Sequence, residues 1–232
     1  MQASEEMTAA IWWSLGPVHI TTTVVTTWGI MLALAAGSLI ARSRLVETPG
    51  IMQSAVEGIV VTIEHAISAV TPEHATRILP FIATLWVFLV VANLSGLIPG
   101  VHAPTRDLSA TAALAFVVFL SVHWFGIRTL GWKAYLHHYI APNPVLLPFH
   151  LISEVTRTIA LAVRLFGNIL SLEMTALFIL IVAGFLAPVP IMMLHIIEAL
   201  VQAYIFGMLA LIYVAGGIQS FEISAQRRQR ND

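Results

Sequence analysis

Residues 145–186 read VLLPFHLISEVTRTIALAVRLFGNILSLEMTALFILIVAGFL, and the fold turns on how this run is accommodated. It is predominantly apolar over about 40 residues, yet it contains Glu154, Arg157, Arg164 and Glu173. A helix of about 40 residues is about 60 Å long at 1.5 Å per residue. The hydrocarbon core of a bilayer is only about 30 Å thick. Such a helix must tilt strongly, break, or project past the membrane. Ala187-Pro188-Val189-Pro190 stops it, because proline lacks a backbone N–H and clashes with the preceding turn. A final helix is expected over 191–216, so the two form a long, tilted C-terminal helical hairpin.

Working outward, 108–125 and 80–98 each read as a spanning helix, joined by a loop that begins with the Pro99-Gly100 turn. The segment 49–70 is different. Glu57 and Glu64 share a helical face with Gln53, while Ile59, Val60, Ile63, Ile67 and Val70 supply an apolar side. That pattern predicts an amphipathic helix at the membrane interface. Thr71-Pro72 follows as a break, with Thr71 suited to cap the next helix. The run 17–41 carries no charged residue, starts at Pro17 and is closed by Arg42 and Arg44. Residues 134–146, with His137, His138, Pro142 and Pro144, read as a connecting loop. The expected fold is all-α integral membrane, a single domain over 1–232. It has three clear transmembrane helices (17–41, 80–98 and 108–125), one interfacial amphipathic helix (49–70), and the hairpin of 145–186 with 191–216.

Composition agrees. Hydrophobic residues make up 58% and charged residues 10% of the 232 positions, where a soluble domain carries roughly 25% charged. A water-soluble globule and a disordered chain are both excluded. Eleven basic and twelve acidic residues leave a net charge of −1, so no basic field exists to hold nucleic acid. Cysteine is absent, which removes disulfides, thiolate metal sites and cysteine nucleophiles. Residues 1–16 carry Glu5 and Glu6 and no basic residue, unlike the positive start of a secretory signal.

Basic residues favour the cytoplasmic side of a membrane. With residue 42 on that side, Arg42, Arg44, Arg77, Arg128, Lys133, Arg227, Arg228 and Arg230 all fall there. Arg106 alone falls outside, and Arg157 and Arg164 lie within the membrane region. The N-terminus is therefore expected outside and the C-terminus in the cytoplasm. The lack of a transit peptide points to a bacterial plasma membrane.

The charges within the hairpin carry the chemistry. Glu154, Arg157, Leu161, Arg164 and Asn168 are spaced 3, 4, 3 and 4, which places them on one helical stripe. Arg164 is flanked by apolar residues and far from both ends of its segment. A guanidinium stays charged at any accessible pH and is costly in lipid, so Arg164 must meet a wet cavity or a carboxylate. Arg157 has two readings: a static ion pair with Glu154, or a pathway residue. On the final helix His195, Glu198 and Gln202 share one face. Ala199, Gly207 and Ala210 nearby allow close helix approach. Glu173, His195 and Glu198 lie on the outward side of Arg164, and Glu154 lies about 15 Å along the helix on the inward side. Titratable groups on both sides of an intramembrane arginine fit an ion pathway. His195-x-x-Glu198 has a di-metal carboxylate spacing but lacks a second copy. The remaining histidines have no ligand spacing, and no phosphate-binding glycine loop occurs. No cofactor is expected.

The run Arg164-Leu165-Phe166-Gly167-Asn168, preceded by Glu154-x-x-Arg157 and followed by Gln202-Ala203-Tyr204-Ile205-Phe206, resembles the a subunits of F-type ATP synthases. Asn93-Leu94-Ser95-Gly96-Leu97-Ile98-Pro99-Gly100 adds to the likeness, which extends over about residues 80–215. The resemblance implies a non-catalytic, ion-translocating membrane stator beside a ring of c subunits, with peripheral-stalk b-type subunits as further partners in the whole complex. It implies that Arg164 faces the ring's ion-carrying carboxylate and separates two half-channels, with Gln202 as its neighbour. By the same resemblance Glu173, His195 and Glu198 form the outer path, Asn168 lines it, Asp107 stands near its entrance and Glu154 belongs to the inner path. Arg157 and Asn93 are structural or pathway residues. Leu172 stands where the family commonly has glycine. The competing readings are a self-contained ion channel or secondary transporter, and a structural membrane protein without transport.

Overall fold

A computed structural model describes residues 11–15, 18–43, 45–46, 50–98, 101, 103–132, 135, 147–184 and 189–229. The N-terminal Glu5 and Glu6, Pro17, Arg44, the Pro99-Gly100 turn, His102, Lys133, the loop histidines His137 and His138, Ala187-Pro188 and Arg230 lie outside them.

Two short strands come first, β1 (Ile11–Leu15) and β2 (Val18–Thr21), paired antiparallel with Trp13 opposite Ile20 and Leu15 opposite Val18. The sequence reading had made Val18–Thr21 helical. Their β-branched and aromatic side chains suit an extended backbone, where branching at Cβ loses less freedom than in a helix.

Six helices follow among the described residues: α1 (Thr22–Ser43), α2 (Ile51–Val70), α3 (Ala75–Ser95), α4 (Leu108–Leu130), α5 (Leu147–Ala183) and α6 (Val189–Gln229). All but α2 are long and apolar enough to cross a membrane. At 37 and 41 residues, α5 and α6 are about 55 and 60 Å long. Several hydroxyl side chains within the spans are satisfied by their own helix. Thr26 and Thr27 donate to the Thr22 and Thr23 carbonyls, and Thr84, Ser121 and Thr129 do likewise in α3 and α4. In lipid no water is at hand to replace these bonds.

The helix ends follow local chemistry. Asp107 caps α4, its Oδ1 accepting from the Ser109 N–H at 2.9 Å. Gly131, at φ 81°, ends it with its N–H on the Ile127 carbonyl. Pro80 lies inside α3 rather than at its start, because a short 3-10 turn over Pro72–His74 leads into the helix at Ala75. Pro80 is thus the sixth residue of α3, past its first turn, and supplies no N–H to the i→i−4 ladder there.

The core lies between α3, α4, α5 and α6, with α2 closing one side through Ile63 and Ile67. Ile78, Ile82, Leu89, Leu165, Phe206 and Leu211 are all fully buried. α3 packs tightly against α6. Gly207 lies against the Trp86 indole, where a Cβ would overlap the ring. Trp86 stacks on Tyr204, centroids 5.9 Å apart, and donates Nε1–H to the Tyr204 carbonyl at 3.3 Å. By contrast α1 buries no residue and exposes Trp28, Leu32, Leu39 and Ile40. On α2, Gln53 bonds Glu57 at 2.8 Å on an exposed face.

Candidate functional site

The α5–α6 pair positions the central residues. One stripe of α5, formed by Leu161, Leu165, Ile169 and Leu172, is buried against its neighbours. The adjoining stripe is exposed, and Arg164 stands on it with Ala160, Val163 and Ser171. Among the described residues Arg164 makes no ion pair and no side-chain hydrogen bond. A permanent cation thus stands on an exposed, largely apolar helix face with no acidic partner among the described residues.

One turn further along α5, Asn168 turns toward α6. Its Nδ2 donates to Gln202 Oε1 at 2.6 Å. Gln202 is 1% exposed, and its own Nε2 has no hydrogen-bond partner among the described residues. A buried donor left unpaired is costly, so this amide is a polar group that the described residues leave unsatisfied.

Toward the start of α4, Arg106 Nη1 lies 3.0 Å from Glu173 Oε2. Arg106 had been assigned no role beyond its side of the membrane; here it clamps a carboxylate from α5. Among the described residues no hydrogen bond or ion pair joins Glu173, His195 and Glu198 into the expected group. Glu173 is held by Arg106, while His195 is buried, its Nε2 without a hydrogen-bond partner, and Glu198 is half-buried. Asn93 pins α3 to α6, donating to the Ala199 carbonyl at 3.1 Å and accepting from Thr105 at 2.8 Å. Asp107 is a helix cap, and Ser109 Oγ also bonds it at 2.9 Å.

Toward the other end of α4, Glu154 Oε2 lies 3.5 Å from His123 Nε2. The suggested Glu154–Arg157 ion pair does not form. The Arg157 guanidinium sits over the Tyr213 ring instead, 4.7 Å from its centroid. Cation–π contact with an aromatic of α6 outcompetes a carboxylate that already faces histidine. His123 had no spacing signal, because its partner is thirty-one residues away on another helix. Among the described residues no group of three His, Asp or Glu side chains is placed to hold a metal ion.

Residues 22–215 match the family described as ATP synthase A chain. The ATP synthase subunit a 2 of Pelobacter propionicus is 62% identical over 208 residues, covering 90% of this chain and 91% of its own length. The ATP synthase subunit a 1 of Hahella chejuensis is 61% identical over 216 residues, 93% of this chain and 92% of its own. The ATP synthase subunit a of Legionella pneumophila (strain Philadelphia 1) is 59% identical over 215 residues, 92% of this chain and 93% of its own.

Proposed function

The chain belongs to the ATP synthase A chain family, and on that premise we propose that it is the membrane stator subunit of a rotary ATP synthase. Five long apolar helices and the family make it an integral membrane protein. In this reading it supplies two offset half-channels through which H⁺, or alternatively Na⁺, reaches and leaves the carboxylates of a c-subunit ring. Peripheral-stalk b-type subunits are the other partners. The chain itself carries out no nucleotide chemistry.

The observation that carries this reading is Arg164, charged and exposed on an apolar face with no acidic partner among the described residues. In a membrane such a cation is costly without water or a counter-charge, and in this reading a carboxylate of a second polypeptide supplies that counter-charge. An ionised ring carboxylate opposite Arg164 is held by opposite charge. It cannot pass into lipid while ionised, since a bare charge there is expensive. Protonation from one half-channel neutralises it and lets that ring position turn into the bilayer. After nearly a full turn it loses its proton to the other half-channel. Arg164 also repels any cation crossing directly between the two paths. The membrane potential supplies about 2.3 kcal/mol per charge per 100 mV, so several ions must pass to make one ATP on the soluble head.

Glu173, His195, Glu198, Asn168 and Asp107 are assigned to the outer path and Glu154 to the inner one. Gln202, one turn from Arg164 by way of Asn168, shares the ring-facing centre; Arg157 and Asn93 support it. The orientation has the N-terminus outside and the C-terminus in the cytoplasm of a bacterial plasma membrane. Supporting it, Arg77 at the start of α3 reaches Thr129 and the Arg128 carbonyl at the end of α4, each at 3.4 Å. Basic residues therefore gather at one end of the bundle.

The test is Arg164→Ala in the complete complex reconstituted into vesicles. Coupled ATP synthesis and ATP-driven ion pumping are expected to vanish while the complex still assembles. Normal ion-driven synthesis by that variant overturns the proposal. The purified chain alone is expected to conduct poorly; rapid selective flux through it favours a self-contained channel.

A further inference from the structure

We infer that His123 and Glu154 form a proton-transfer pair on the inner path, with the imidazole Nε2 as the exchanging atom; this rests on the stator reading above. His123 Nδ1 lies 2.9 Å from the Phe119 carbonyl oxygen, one turn back on α4. A carbonyl only accepts, so Nδ1 carries the hydrogen in this contact. Nε2 is then the nitrogen that gains and loses a proton, and it lies 3.5 Å from Glu154 Oε2 on α5. That separation is longer than a strong hydrogen bond. A small side-chain movement or one bridging water closes it.

The ring is held in place. Its centroid is 4.4 Å from that of Phe119 and 6.0 Å from that of Tyr135. Both partners of the pair are about a quarter exposed. They line a small open cleft of about 30 Å³, together with Arg157, Thr158 and Tyr213, which has room for about one or two waters. Among the described residues the charged and titratable groups around the pair include Arg157 on α5, Tyr213 on α6 and Tyr135 after α4. Arg157 is engaged with Tyr213 rather than Glu154. The pair also has the right depth. Glu154 is about 15 Å of helix from Arg164, and His123 is near Arg128, at the basic end of the bundle.

The transfer balances. The Nε2–H bond of an imidazolium breaks and an O–H bond forms on Glu154, leaving a neutral imidazole whose Nδ1–H stays on the Phe119 carbonyl. Water in the cleft restores the proton to Nε2. The carboxylic acid releases its proton toward the ring, and the reverse order serves the opposite direction of rotation.

The experiment uses the complete complex in vesicles, with ATP-driven proton pumping normalised to assembled enzyme. His123→Gln keeps the size and polarity but cannot carry the proton. Pumping is expected to fall about fivefold or more, and to lose its pH dependence between about pH 5 and 8, where histidine changes charge. Glu154→Gln should do the same, and the double variant should be no slower than the slower single one. Pumping within twofold of the unaltered enzyme, a fall with an unchanged pH profile, or multiplied effects in the double variant overturn the inference. A second variant, His123→Ala, opens space in the cleft. Recovery with added imidazole supports the relay; recovery with the non-basic, similarly sized pyrrole, or with neither, overturns it. Arg164→Ala runs alongside. If it still pumps, the stator reading itself fails; if it does not, while His123→Gln pumps normally, only the relay fails.

Discussion

Asn168 and Gln202 tie the two longest helices together one turn from Arg164, with Nδ2 of the first 2.6 Å from Oε1 of the second. Asn168 is half-buried and Gln202 is 1% exposed, so this amide pair is sheltered on the Gln202 side. Arg164, four residues before Asn168, stays on the exposed stripe.

Asn168→Ala removes the donor and leaves both ends of the Gln202 amide buried without a partner. The cost should be about 1–3 kcal/mol. Thermal unfolding of the detergent-solubilised subunit should begin at lower temperature than in the unaltered protein. Gln202→Leu, which removes the buried polar group as well, should cost less. Equal losses in both would show that the bond does not set the stability of this crossing.

Arg164→Lys should fail nearly as completely as Arg164→Ala. A desolvated lysine can lose its charge, whereas a guanidinium cannot. ATP-driven pumping by the reconstituted complex reads the outcome. Substantial pumping with lysine would mean that a point charge suffices and that the planar, permanent cation is dispensable.

Arg106→Gln frees Glu173 from its 3.0 Å partner. Either Arg106→Gln or Glu173→Gln should slow ion flux, and a double-mutant cycle should give a coupling of about 1 kcal/mol or more. The charge exchange, Arg106→Glu with Glu173→Arg, separates two roles. Assembly should return without flux, because the carboxylate then sits on the wrong element. Return of both would reduce Glu173 to a helix tie.

Gly207→Val should disrupt the α3–α6 crossing, since even a Cβ there overlaps the Trp86 indole. Forced overpacking typically costs about 1–3 kcal/mol. The amount of folded subunit in the membrane should fall, and Trp86→Leu in the same chain should restore part of it.

Much of the architecture was legible before any tertiary contact. Long apolar runs declare helices, because a backbone in lipid must satisfy its own hydrogen bonds. The Gln53/Glu57 side of α2 could be drawn from spacing, and Gln53 does bond Glu57. The ribbon of β1 and β2 was not legible, because Val18–Thr21 adjoins an apolar helix and shares its composition. The end of α6 at Gln229 was also hidden. A helix that leaves the apolar span can continue once water satisfies its side chains, so Gly216 and the polar residues after it do not end it.

What the sequence by itself determined is periodic and local: which segments are helical and apolar, and which charged groups lie near a common stripe of α5. Helical geometry is the same for every chain, so such patterns survive without neighbours. What only the tertiary structure decided is who meets whom across helices. Leu161 is buried while Arg164, three residues on, is exposed; Glu173 meets Arg106 and Glu154 meets His123; Arg157 lies on Tyr213. These contacts join residues 31 to 67 positions apart, and they depend on how rigid helices pack. No spacing along one chain segment encodes that.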